Sequence, residues 1–590
     1  MKSNRTRFHA RHVLPLVLGL AIALATHLKA EGPASAEKAT SDGGELLYNG
    51  IRLPKEWPPR EEVKAESREP QPVPYLAAPP AVIPIDVGRQ LFVDDFLIEK
   101  TTLHRTFHHA EKYEGNPILK PETPEETHGH YSHATDDPTG SACPFDDGVF
   151  YDPSDHLFKM WYMGGFWGHT MLATSEDGLH WKRPPFDVEP GTNIVIPWRP
   201  EFLRDAFSPW LDWNATSPEE RWKAFLYARV LTPPNPKRLG ESYLYTSPDG
   251  IHWQRRATVE GHVDDNTTIF YNPFRKKWVM SVRRSVRERG RARLYFEADS
   301  FLQLADMKTN DPVFWSGADR LDPPDPQIQK ATQLYCLSPV AYESIMLGAF
   351  AIHYGPENDE CAKGQFPKLT EIELGYSRDG FHFSRPDRTS FIAASRQEGA
   401  WDRGYVRPIG SVCTVVGDRL YFYYCGFSGV APNGQKHFYA GGSTHVAFLR
   451  RDGFASMDAN ADECELVTRP VTFQGTHFFV NAAAAQGEVR AEILDENGHP
   501  IPPFTAQNCS PITVDKTLQA VQWEDAKDLS TLRGRPVRIR FVLKNASLYS
   551  FWISPETSGA SHGYVAAGGP GFTGPLDTVG QAAPSATKQP

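Results

Sequence analysis

The chain has 590 residues, 40% of them hydrophobic, enough for roughly two to four domains with sizeable cores. Its 46 Gly and 50 Pro are well spread and aromatics reach 12%, which points to short strands and turns and away from a helical bundle or a disordered chain. The net charge is −10, and past the first thirty residues 57 basic side chains face 72 acidic ones, so nucleic acid is excluded as a partner.

Residues 1–30 read as a signal peptide. Lys2, Arg5, Arg7 and Arg11 precede an apolar run from Val13 to Ala25, and small residues follow at Ala25 and Ala30. That run is too short to span a bilayer comfortably, and no later window is apolar enough to span one. The expectation is an exported protein, periplasmic or extracellular, with no stable membrane span. Seven cysteines without C-x-x-C pairs give neither a disulfide framework nor a metal site. Residues 31–82, ending in QPVPYLAAPPAVIP, read as a flexible Pro-rich spacer.

A repeat follows. Ser175-Glu-Asp177-Gly178-Leu-His-Trp181, Ser247-Pro-Asp249-Gly250-Ile-His-Trp253 and Ser377-Arg-Asp379-Gly380-Phe-His-Phe383 each follow a short apolar strand. Asp-Gly supplies a tight turn, since Gly accepts positive φ and Asp bonds nearby backbone. Looser counterparts at Asp299 and Asp452 bring the turns to five. Each is preceded by two joined strands, such as GVFYDP with HLFKMWYMGG and TIFYNP with KKWVMSVRR. Strand, turn, strand, loop, strand, Asp-Gly turn, strand describes one four-stranded blade. The fold class is therefore all-β, with a five-bladed β-propeller over 83–462. Gln90–Ile98 is the candidate for the strand that closes the ring. Residues 463–556 alternate in short strands without that turn and read as a C-terminal β-sandwich. The Gly/Ala/Ser/Pro-rich stretch 557–590 reads as a disordered tail.

This organisation resembles the superfamily of glycoside hydrolase families 32 and 43. It is nearer still to a group of secreted bacterial family 32-like proteins, through LFVDDFLIE, FKMWY, SxDGxHW, NPFRKKWV, RRDGFASM and LYSFWIS. The resemblance implies a propeller with an axial carbohydrate site. The family's nucleophile box is missing, Arg204-Asp205-Ala206 has Ala where the family triplet has Pro, and Tyr335-Cys336 stands where a Glu-Cys pair is sought.

In such a ring the leading residues of the innermost strands meet in one depression. They are Asp146 and Asp147, Arg204 and Asp205, Asp264 and Asp265, Gln333 and Tyr335, then Trp401, Asp402 and Arg407. Acids on at least three blades suit glycoside hydrolysis, which needs one protonated and one ionised carboxyl group close together. The expected nucleophile or base is Asp147, the transition-state stabiliser Asp205 or Asp265, and the proton donor Glu343. Arg204, Tyr335, Trp401, Asp402, Arg407 and His130 are expected to bind the sugar. His128, His130 and His133 sit close together, but their loop composition favours no metal over a metal site. No cofactor is expected, a structural calcium ion in the channel being the one open alternative. Arg283 to Arg293 form a basic run that reads as a solvated loop or as a contact for an acidic or sulfated glycan. The leading function is a secreted glycoside hydrolase acting on a plant or algal poly- or oligosaccharide. The alternative is a carbohydrate-binding propeller without catalysis.

Overall fold

The structure, a computed structural model, describes residues 43–60, 64–131, 137–231 and 238–582. The signal peptide, the start of the spacer, His133 and the last residues of the tail lie outside them.

The fold is nearly all β: among the described residues the longest helix, Asn358–Gly364, has seven residues. Antiparallel sheets succeed one another along the chain. The first holds Val149–Asp152, Leu157–Gly164, His169–Ser175 and Ile194–Ile196. The second holds Phe202–Leu211, Trp222–Leu231, Arg238–Ser247 and Gln254–Thr258, and the third Thr268–Asn272, Lys277–Val286, Gly290–Ala298 and Val313–Gly317. The fourth holds Gln333–Glu343, Ile345–Gly355 and Leu369–Ser377. A fifth group holds Gly404–Pro408, Thr414–Val416, Arg419–Phe427 and Gly442–Arg450. Strands such as Leu157–Gly164 are apolar at successive positions because both of their faces are covered.

Short polar side chains join the groups. Ile269 N donates to Ser208 Oγ over 3.2 Å, Ser281 Oγ to Leu337 O over 2.9 Å and Thr370 Oγ1 to Val406 O over 2.8 Å. Ser411 Oγ donates to Val149 O over 2.9 Å, returning from the fifth group to the first. The repeated Asp-Gly turn makes a second joint. Gly178, Gly250 and Gly380 have φ of +77°, +81° and +81°, which glycine adopts without steric cost. The carbonyls of Gly178 and Gly250 accept from Tyr423 Oη (3.1 Å) and Trp161 Nε1 (2.8 Å) of the preceding group, and Phe381 O accepts from Trp315 Nε1 (2.7 Å). The turn therefore fastens one sheet to the one before it.

Residues 455–554 supply most of two further sheets packed over a shared core that includes Phe478, Phe541 and Phe551. Segments from before the first sheet join them: Gln90–Leu91 pairs with Ser550 and Phe551, Ile98–Thr101 with Leu466–Thr468, and His104–Phe107 with Ala455–Asp458. Gln90–Ile98 therefore does not close the ring. Glu111–Lys112 and Ser141–Cys143 instead both pair with Gly442–Arg450; Ser141–Cys143 runs parallel to it and makes one ten-stranded sheet of the first and fifth groups.

Two segments expected to be flexible are packed instead. In the spacer, Leu47, Leu53 and Tyr75 are buried, and Tyr75 Oη donates to His382 O over 3.0 Å. In the tail, Tyr564–Val565 pairs with the fourth sheet, and Phe572 and Asp577 are buried. Composition misled here because a few anchors hold an otherwise polar, Pro- or Gly-rich stretch. All seven cysteines are free.

Candidate active site

At the leading ends of the first strands of the second, fourth and fifth groups the register slips: between Arg204 and Ala206, between Leu334 and Cys336, and between Gly404 and Arg407. Such bulges re-aim side chains, so that neighbours in sequence serve one site. Asp205, Tyr335 and Tyr405 lie at these slips.

The floor of the site is charged and dry. Arg204 Nη2 donates to Asp147 Oδ1, and Arg204 Nε to Thr170 Oγ1 over 3.2 Å. Arg407 Nη2 donates to Asp146 Oδ1 over 2.5 Å, with its guanidinium 3.8 Å from the centre of the Phe145 ring. All four charged side chains are buried. Burial pushes the Asp147 carboxyl up to about 7, against the pull of Arg204, and raises Asp146 as well. A carboxyl that is buried, tied to a guanidinium and inclined to hold a proton is badly placed as a nucleophile. Asp147 therefore supports the site from below.

Above that floor, one guanidinium joins two carboxylates. Arg229 Nε donates to Asp205 Oδ2 over 2.7 Å, and its Nη2 to Asp265 Oδ2 over 3.2 Å. Trp167 Nε1 donates to Asp205 Oδ1 over 2.8 Å while the Arg229 guanidinium lies 4.7 Å from the Trp167 ring centre. Arg283 pairs with Asp264 over 2.8 Å and reaches Asp265 at 3.6 Å. The two environments differ. Burial raises the proton affinity of Asp205, Arg229 opposes this, and the charge of Asp265 adds to the rise. For Asp265, a quarter exposed, Arg283, Arg229 and Lys368 together outweigh burial and hold the carboxyl below its ordinary value.

Beside this pair stands a tyrosine cage. Lys368 Nζ donates to Tyr335 Oη over 3.0 Å and to Tyr439 Oη over 2.9 Å, and Tyr405 Oη donates to Tyr335 Oη over 2.9 Å. Tyr131 packs against Trp167 and Tyr439, with ring centres 4.9 and 5.1 Å away. His130 stacks on Trp198 at 4.0 Å, and its backbone N–H donates to Phe166 O over 2.9 Å, next to Trp167.

Of the expected site residues, the structure brings together Asp147, Arg204, Asp205, Asp265, Tyr335 and Arg407, with His130 at the fringe. Three lie elsewhere. Glu343 is buried in an ion network with Arg89 (3.5 Å) and Arg451 (3.1 Å), bonded by Ser561 Oγ over 2.7 Å, where the tail meets the fourth sheet. It ends an inner strand at the end opposite the leading residue Gln333, so it does not belong with the acids. Asp402 pairs with Lys112 over 2.5 Å, and Trp401 lies 6.0 Å from the Lys120 ammonium. Both belong to the flank of the fifth group, because their loop turns outward before the strand begins. Sequence reasoning missed Trp167, Arg229, Lys368, Tyr405 and Tyr439. Trp167 was visible only as part of a Gly-rich turn, and Arg229 as the last polar residue of an apolar second strand.

Among the described residues no group of three or more His, Cys, Asp or Glu side chains is placed to hold a metal ion, and no helix is long and apolar enough to cross a membrane.

No family model and no curated protein matches the chain. Among solved structures it is similar to an N-acetylgalactosamine deacetylase from F. plautii, at 12% identity over 59% of this chain and 96% of that one, with a TM-score of 0.38. An α-L-arabinofuranosidase from Lactobacillus brevis gives 10% identity, 58% and 94% coverage and a TM-score of 0.37. A β-fructofuranosidase from Schwanniomyces occidentalis gives 14%, 75%, 97% and 0.34. Overlaps this loose assign no family.

Proposed function

We propose that the chain is a five-bladed β-propeller with an appended β-sandwich, and that it hydrolyses glycosidic bonds at the Asp205–Asp265 pair. The cyclic order of hydrogen bonds from group to group supports the ring, and the two packed sheets of residues 455–554 support the sandwich. One observation carries the function: a single guanidinium binds both carboxyl groups while their surroundings drive their proton affinities apart. That is the division of labour a glycosidase needs. The bridge also keeps the bonded oxygens within the roughly 9.5 Å upper limit for carboxyl groups flanking a glycosidic bond.

In this reading Asp205, protonated, donates to the leaving oxygen as the glycosidic bond breaks. Asp265, ionised, faces the developing oxocarbenium and attacks the anomeric carbon directly or through water. Arg229 and Arg283 keep Asp265 charged. Trp167 and Tyr131 offer ring faces to the sugar. The substrate is a plant or algal poly- or oligosaccharide met outside the cell, to which the basic and apolar run of residues 1–30 would direct the chain.

The burial of Asp205, only 3% exposed, favours a second reading, carbohydrate binding without turnover. Reducing-sugar release from a panel of polysaccharides separates the two. The hydrolase reading expects release by wild type and a fall of about 10²–10⁴-fold in Asp205→Asn or Asp265→Asn, both of which keep binding. Binding without release by wild type supports the second reading.

A further inference from the structure

The body of the chain is acidic, yet the third and fourth sheets present to the site two buried cations, Arg293 and Lys368, that form no ion pair among the described residues. Lys368 and Arg293 are 1% and 0% exposed. Among the described residues neither has a carboxylate within 4.0 Å. Lys368 bonds two phenol oxygens, and Arg293 donates to the carbonyls of Asn266, Ser281 and Tyr335. Tyrosine faces 4.8–5.2 Å from the ammonium offset part of its charge. A buried cation is ordinarily paired with an anion, because leaving it unpaired costs several kcal/mol.

Lys368 also lines a cavity of about 550 Å³ that lies between the fourth sheet and the fifth group. Lys330, Arg396 and Arg403 line it, with Phe366 and Pro367 as an apolar wall. Lys330 is paired with Glu360 and Arg396 with Asp325. The Arg403 guanidinium, half-buried, forms no ion pair among the described residues. Arg291, paired with Glu357 over 3.1 Å, stands over Tyr335 at 5.1 Å.

We infer that the saccharide taken by this site is anionic, carrying a carboxylate or a sulfate ester, and that Lys368 and the adjoining basic cavity receive the charged group. This rests on the reading of the site as a carbohydrate site. The cage explains itself on this account: Lys368 has hydrogen-bonding capacity left for an acceptor, and Tyr439, whose oxygen accepts from Lys368, adds a hydroxyl donor at the same place. It also gives a use to the arginine run of residues 283–293, whose members Arg291 and Arg293 face this side.

The test is direct binding to the full chain of glucuronate, galacturonate and glucose 6-sulfate, beside glucose and galactose, by calorimetry and thermal shift. The expected result is at least about tenfold tighter binding of a charged sugar than of its neutral parent, weakening as salt is raised. Uronate and sulfate arms identify which charge is preferred. Arg403→Gln, on the rim of the cavity, is expected to weaken the charged sugar several-fold, and Lys368→Met to remove the preference. Equal binding of charged and neutral sugars to wild type, at any salt, overturns the inference without needing a variant. Charged-sugar binding without hydrolysis would instead leave this inference standing and remove the hydrolase reading.

Discussion

Trp167 donates its indole N–H to Asp205 Oδ1 over 2.8 Å, from a turn in which Trp167 itself has φ of +63°. A non-glycine residue held in the left-handed region is uncommon, and here the indole bond and the stacked Arg229 hold it there. The bond stabilises the charged form of Asp205, so its removal raises the proton affinity further. Trp167→Phe is expected to keep the ring face for sugar and to move the alkaline limb of the pH–rate profile upward. Steady-state rates between pH 4 and 9 check this.

The profile of the wild type should be bell-shaped. Activity rises as Asp265 ionises, below the usual carboxylate range because of Arg283, Arg229 and Lys368, and falls as Asp205, raised by burial, loses its proton. Arg229→Met removes a cation from both groups, so both limbs should move to higher pH. A profile shifted on one side only would show that the guanidinium does not serve both acids.

Asp147 predicts a stability effect. Burial pushes its carboxyl up to about 7, while in the unfolded chain it titrates near 3.8. The folded state thus binds the proton more tightly, so this contribution is fully present below about pH 4 and is lost as pH rises through 7. Asp147→Asn does not titrate. Between pH 4 and 7 the variant should therefore gain on wild type by up to about 4 kcal/mol, measured by urea unfolding at each pH.

Glu343 predicts the opposite kind of behaviour from the acids of the site. Its Arg89, Arg451 and Ser561 contacts are buried, and Arg451 also pairs with Asp577 over 2.8 Å. Glu343→Gln should cost about 1–3 kcal/mol of stability, because it weakens buried charged hydrogen bonds while Arg89 and Arg451 keep Asp452 and Asp577 as partners. Hydrolysis per folded molecule should be kept. Ending the chain at residue 556 removes Asp577 and Ser561 and should lower the thermal midpoint in the same way.

The Asp-Gly joints can be tested away from the site. A Cβ at Gly250 would lie 2.4 Å from Trp161 Cζ2, at a φ of +81°. Gly250→Ala should cost about 2–4 kcal/mol through overpacking and backbone strain, read by chemical unfolding.

Much of the strand order was legible because its signal is local. Paired apolar strands and the Ser-x-Asp-Gly turn repeat, and both fall where expected in the first, second and fourth sheets. At Asp299 and Asp452 the resemblance to that turn was superficial: Asp452 instead accepts from Arg89, Tyr342 and Ser550. Long-range partners were not legible. Nothing local distinguishes a Gln90–Leu91 strand that pairs with Ser550 from one that closes the ring, or a tail held by Asp577 from a loose one. At the site, the acids at the leading ends of strands could be read off, whereas Arg229 lies on a second strand and Lys368 just before a third, and they join the acids only through cross-strand geometry. Glu343 was sought for its residue type rather than its place, and the far end of its strand put it out of reach.

The central claim is that Asp205 and Asp265 act as an unequal acid pair. Its most direct test is reducing-sugar release from a glycan panel by wild type, Asp205→Asn and Asp265→Asn, with binding measured in parallel. The account predicts release by wild type, a fall of about 10²–10⁴-fold in either variant, and binding preserved in all three. Wild-type release that survives both substitutions, or binding by wild type with no release at all, would contradict it.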